Sequence, residues 1–83
     1  MKYSYPAILS VDKDDAEVIV VKIPDIYGAE TCGIGETDAI EKAHDLLVQM
    51  LLFEADRCGE PHTYQEALEA FPTKRVVMIE VEF

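Results

Sequence analysis

The sequence is poor in basic residues: seven Lys and Arg stand against seventeen Asp and Glu, for a formal net charge of −10. With so few cations there is no basic stripe to lie along a phosphate backbone, which excludes the usual DNA-binding domains. Cysteine is scarce too. Cys32 and Cys58 form no CxxC and are too far apart for a zinc site. Two thiols without a secretory leader pattern read as reduced and cytoplasmic. No apolar run approaches the roughly 20 residues a helix needs to cross a bilayer. Repeats, linkers and low-complexity segments are missing as well, so one soluble domain is expected.

What the chain does have is apolar residues, 49% of its 83 positions, which excludes a disordered acidic tail. A domain of this size buries only about 60% of its unfolded surface, so its stability is modest. The acidic excess either steers a basic partner toward the chain or simply keeps it soluble.

Hydrophobic spacing predicts strands over Tyr3–Val11, Ala16–Ile23, Ala29–Cys32 and Lys74–Phe83. Asp12–Asp15 and Pro24–Gly28 read as turns. A long helix opens at Gly35 as its N-cap and carries Ala39, Ile40, Ala43, Leu47, Met50 and Leu51 at helical spacing. Leu46, Val48, Leu52 and Phe53 widen that stripe until the helix needs cover on more than one side, and Gly59 and Pro61 end it. Thr63 and Glu66 form a capping box for a short helix, Tyr64–Phe71. The expected fold is α+β: a four-stranded mixed sheet in the order β-β-β-α-β with the long helix on one face. In it a right-handed crossover lays the last strand parallel beside the first. The other face, with Val18, Val20, Ile8, Val76 and Met78, has little chain left to cover it and predicts a homodimer or higher oligomer.

No catalytic pattern emerges. A metal-dependent nuclease needs carboxylates converging from separate elements, whereas Asp12, Asp14, Asp15 and Glu17 crowd into one turn that water solvates. An EF-hand's central glycine and terminal glutamate are absent there. His44 has no second histidine four residues away, and neither it nor His62 stands by a motif-placed nucleophile. Gly33-Ile34-Gly35 lacks the third glycine and the lysine of phosphate-binding loops, and Glu36 and Asp38 would repel an anion. The expectation is no enzyme, no metal and no cofactor.

Several motifs in order resemble the HicB-like antitoxins. They are Tyr5-Pro6-Ala7-Ile8, a charged turn, Pro24-Asp25-Ile26-Tyr27-Gly28 where the family has Pro-Asp-Leu-Pro-Gly, Thr31-Cys32-Gly33, and Ala39 with Ala43. The match covers Tyr3 to about Phe53, and Val77–Val81 loosely. Tyr27 replaces the second proline, and Gly35 stands where Thr or Ser is common. The resemblance implies a partial RNase H fold without its nuclease carboxylates, as a single domain over residues 1–83. A carboxy-terminal DNA-binding domain is not expected, nor promoter binding by this chain alone. It further implies an antitoxin of a type II toxin–antitoxin pair, neutralising a small basic HicA-like ribonuclease toxin by direct binding. The contact is expected around Asp25, Ile26, Tyr27 and Glu30, with Asp14, Asp15 and Glu17 as a steering rim. The alternative is an orphan oligomeric module that binds another protein or a small ligand.

Overall fold

The first strand has a proline in it and still pairs on both sides. In the computed structural model, which describes residues 1–83, β1 (Lys2–Val11) lies between β2 (Val18–Lys22) and β4 (Arg75–Glu82). Strand β3 (Glu30–Ile34) forms the edge beyond β2, giving the order β3-β2-β1-β4. Two helices complete the chain, α1 (Gly35–Phe53) and α2 (Tyr64–Ala70), with a single 3-10 turn at Ala55–Arg57 between them.

Side-chain alternation assigns the faces. Tyr5, Ala7 and Leu9 of β1, Val21 and Ile23 of the second strand, and Ile79 and Val81 of β4 share one buried cluster with Ala39, Ala43, Leu47 and Met50 of α1. Burying a side chain such as Leu47 completely is worth about 1.5–3 kcal/mol, and this cluster is the main source of stability. Small residues set how closely α1 approaches. Ala39 and Ala43 are fully buried, and Gly33 of β3 lies under Ala39 with no room for a Cβ.

The sheet is wholly antiparallel, not mixed. β4 does lie beside β1, but it runs against it, pairing Tyr3 with Val81 and Leu9 with Arg75. The return path explains this. Helix α1 descends from the end of β3, and the loop after it crosses beneath the sheet to the opposite face. There α2, about 10 Å long at 1.5 Å per residue, climbs back toward the level where the strand began. The chain therefore enters β4 from the top. Ala67 of α2 buries against Ile8 and Val76 on this second face, with Leu68 and Phe71 beside it. Val18, Val20 and Met78 remain half-buried there.

Helix α1 also differs from expectation at both ends. It begins at Gly35, which takes a positive φ of 81°, so Ile34 and not Gly35 is the N-cap. No side chain caps the first turn from Ile34; instead Asp38 reaches back, its Oδ2 accepting the Ile34 N–H at 2.8 Å, and that bond, followed by Lys42, holds its carboxyl below the usual range. The helix stops at Phe53 rather than Gly59. Cys58 bridges to Ile26, which draws the chain off the helical path toward the Pro24–Gly28 turn. Leu52 and Phe53 are exposed, so α1 is covered on its sheet side only. The capping box on α2 is present as predicted, with Thr63 and Glu66 exchanging hydrogen bonds.

Candidate partner-binding surface

The turn after β2 is built from the inside. Ile23 N–H donates to Ala29 C=O at 3.1 Å, and Ile26 N–H to Ile23 C=O at 3.1 Å. Gly28 takes the positive φ of 79° that closes it. Ile26 is only 2% exposed and belongs to the main core; its side chain anchors the turn and is not available to a partner. Tyr27, next along, is 81% exposed.

Asp25 holds the turn to the loop that crosses between the two faces. Its carboxylate accepts the His62 backbone N–H at 3.0 Å and faces His62 Nδ1 at 2.5 Å. Its own carbonyl accepts the Gly59 N–H at 2.8 Å. Only 10% of the Asp25 side chain is exposed, against 60% for His62. The hydrogen bond and the charge of Asp25 push His62 above its ordinary value. Tyr27 N–H donates to Arg57 C=O, and buried Tyr5 donates its hydroxyl to Gly59 C=O at 2.8 Å. Burial is the main cause that raises the Tyr5 phenol, with Cys58 and Asp25 adding to it. Pro6, Pro24, Asp25, His62, Ala67 and Phe71 line a cleft of about 120 Å³ here, below the roughly 300 Å³ at which small-molecule pockets begin.

The remaining candidates lie apart. Glu30 is exposed on β3 beside Lys22, its cross-strand neighbour. Asp14, Asp15 and Glu17 are exposed in the β1–β2 turn, where Asp12 and Asp15 accept backbone N–H groups of Asp14 and Glu17. Strand β2 separates that turn from Tyr27 by roughly 16 Å at about 3.3 Å per residue. Asp25, Tyr27 and Glu30 are thus brought to one end of the sheet, and the acidic rim to the other.

The loop residues Arg57, Gly59 and His62 escaped sequence reasoning. Gly59 carried a signal, read as a helix stop: a Cβ there would fall 2.9 Å from the Asp25 carbonyl oxygen. No three His, Cys, Asp or Glu side chains are grouped so that they could hold a metal ion. Cys32 and Cys58 are free thiols, and burial raises that of Cys58, helped by Asp56 and Glu54. No helix is long and apolar enough to cross a membrane.

No protein-family model and no curated protein matches the chain. Solved structures do. The antitoxin HicB of Burkholderia pseudomallei superposes with a TM-score of 0.77 at 22% identity, covering 98% of this chain and 64% of that one. This chain therefore spans less than two thirds of that antitoxin. The separately solved N-terminal domain of the same protein gives a TM-score of 0.71 at 20% identity, covering 98% of this chain and all of that domain. A chain of a toxin–antitoxin complex from Streptococcus pneumoniae gives 0.69 at 20% identity, covering 99% of this chain and 70% of that one. Across nearly its whole length, this chain is similar in fold to the N-terminal domain of antitoxin HicB.

Proposed function

We propose that this chain is the antitoxin of a type II toxin–antitoxin pair and neutralises a small basic HicA-like ribonuclease by binding it directly in the cytoplasm. The observation that carries this reading is the likeness, over 99% of the chain, to a member of a toxin–antitoxin complex. The charge of −10 supports it from a separate direction, since an acidic surface competes with RNA for a basic face.

In this reading Tyr27 is the anchor, because exposed aromatics often carry the energy of an interface. Glu30 adds charge on the same end, while Asp25 and Ile26 act from beneath by fixing the turn. Asp14, Asp15 and Glu17 stand about 16 Å away along β2 and form a rim that steers the basic toxin's approach.

The test is co-expression with the product of the neighbouring reading frame, which this reading expects to be a small basic protein, scoring rescue of growth and co-purification. Tyr27→Ala is expected to weaken binding about tenfold or more, a loss of roughly 1.4 kcal/mol, and to leave the unfolding midpoint unchanged. An unaltered affinity would remove Tyr27 from the interface, and failure of the wild-type chain to rescue growth would remove the function.

A further inference from the structure

The second face of the sheet carries a trough that α2 flanks but does not fill. Even-numbered side chains of β1 point to this face, so Pro6, Ile8 and Ser10 run in line along it. From Pro6 to Ser10 is roughly 13 Å at about 3.3 Å per residue. Lys22 pairs with Ile8 across the first two strands, and the same register carried two residues on sets Pro24 beside Pro6. The far wall belongs to α2, through the small residues Ala67 and Ala70 and the Phe71 that follows them. Two hollows share Pro24 and Phe71: the cleft of about 120 Å³ at the Pro6 end and another of about 260 Å³ at the Ser10 end. They form one channel.

Its two ends carry opposite charge. Of the seven bases, Lys2, Lys42, Arg57 and Arg75 are held in ion pairs with carboxylates. Lys22 and Lys74 are held in none, and both line the hollow at the Ser10 end. Glu30 stands across from Lys22 on β3 without pairing with it. Two unmatched ammonium groups beside a hydroxyl are out of keeping with a chain of net charge −10. The Pro6 end holds Asp25, Glu66 and His62. Two carboxylates against one imidazole keep it net acidic whether or not His62 is protonated. Between the ends the lining is apolar, made by Ile8, Pro24 and Phe71.

We propose that this trough binds an extended segment of a partner protein with the pattern base-x-apolar-x-acid, in either chain direction. Every second residue of an extended chain faces the same way, so three side chains of such a segment meet the trough over about 13 Å. The base lies against Glu66 and Asp25, and the apolar residue between Pro24 and Phe71. The acid sits between Lys22 and Lys74, with the Ser10 hydroxyl donating to it. A small carboxylate would reach the lysines and leave the acidic end unmet, and a wholly acidic segment would be repelled there. The site lies on the face of the sheet away from α1 and does not depend on the toxin-binding reading.

The test is titration of the isotope-labelled full chain, followed by nuclear magnetic resonance, with the capped pentapeptides Lys-Ser-Leu-Ser-Glu and Glu-Ser-Leu-Ser-Lys. One of the two is expected to bind with a Kd of about 1 mM or tighter, moving the amide signals of Ser10, Lys22, Phe71 and Lys74. An isomer with its charges adjacent, Lys-Glu-Ser-Leu-Ser, is expected to bind about fivefold more weakly or worse, because it cannot reach both ends. Lys22→Gln made with Lys74→Gln is expected to weaken the better peptide about fivefold, as the loss of two exposed ion pairs would. Ala70 is exposed on the wall; Ala70→Gln fills the trough and is expected to weaken binding about tenfold or more without moving the unfolding midpoint. Absence of shifts with both pentapeptides at several millimolar overturns the inference. So does binding indifferent to Ala70→Gln, to the lysine substitutions or to the isomer's spacing, and so does acetate binding as tightly as the peptide. Shifts at these residues that grow with protein concentration alone would put a second copy in the trough and overturn it as well.

Discussion

Replacing Gly33 with alanine tests whether the α1–β3 contact is as close as the structure has it. The added Cβ would lie 2.5 Å from Ala39 N, 2.7 Å from Ala39 Cα and 2.8 Å from Asp38 C. All three are backbone atoms of a helix turn, so no side-chain rotation relieves the clash. Overpacking of this kind costs about 1–3 kcal/mol, and contacts this short belong at the upper end. Stiffening the unfolded chain returns about 0.4–1 kcal/mol, leaving a net loss of about 2 kcal/mol. A chain of this length has roughly 4–12 kcal/mol in all, so Gly33→Ala removes a large share of it. The melting temperature should fall by about 8–16 °C, and the urea midpoint should drop at an unchanged slope. Ala39→Gly added to Gly33→Ala should give no relief, since the Ala39 methyl is not what the new Cβ meets. A wild-type midpoint for Gly33→Ala, or rescue by Ala39→Gly, would refute the close approach.

Other outcomes follow from the loop and the helix ends. Because Asp25 raises His62 above its ordinary value of 6.5, their pairing supports the fold fully below about pH 6.5. That support fades as pH rises through the raised value, so the urea midpoint should decline between pH 6 and pH 8.5 in the wild type and hold steadier in His62→Gln; equal slopes for both would count against the pair. Thr63→Ala removes the cap of α2 and should cost about 1 kcal/mol, read as a lower urea midpoint. Leu47→Ala empties a fully buried site and should cost about 2–5 kcal/mol, enough to leave a partly unfolded population visible by circular dichroism.

Most elements were legible because their signals are local. Alternation in Tyr3–Val11 and Lys74–Phe83, and the Thr63–Glu66 capping box, depend on residues a few positions apart. The direction of β4 was not legible, because it depends on where α2 lies, and α2 has only Ala67 fully buried to say so. A seven-residue helix looks the same in sequence whether it continues a crossover or climbs the far face. The end of α1 was misplaced for a related reason. Gly59 is a plausible helix stop, but it is needed against Asp25, more than thirty residues away. Of the proposed contact residues, the exposure of Tyr27 and the burial of Ile26 depend on the Cys58 bridge, which no local pattern encodes.

The antiparallel pairing of β1 with β4 also sets a timetable. β1 is the first strand to leave the ribosome, yet the strand that completes its pairing is the last. At roughly 5–20 residues per second, some seventy residues of synthesis separate Ala7 from its mate Val77, a wait of about 4–14 s. During that interval Tyr5, Ala7 and Leu9 can shelter only against β2 and the forming α1, and a nascent chain truncated before Arg75 should remain open to protease where the finished one is closed.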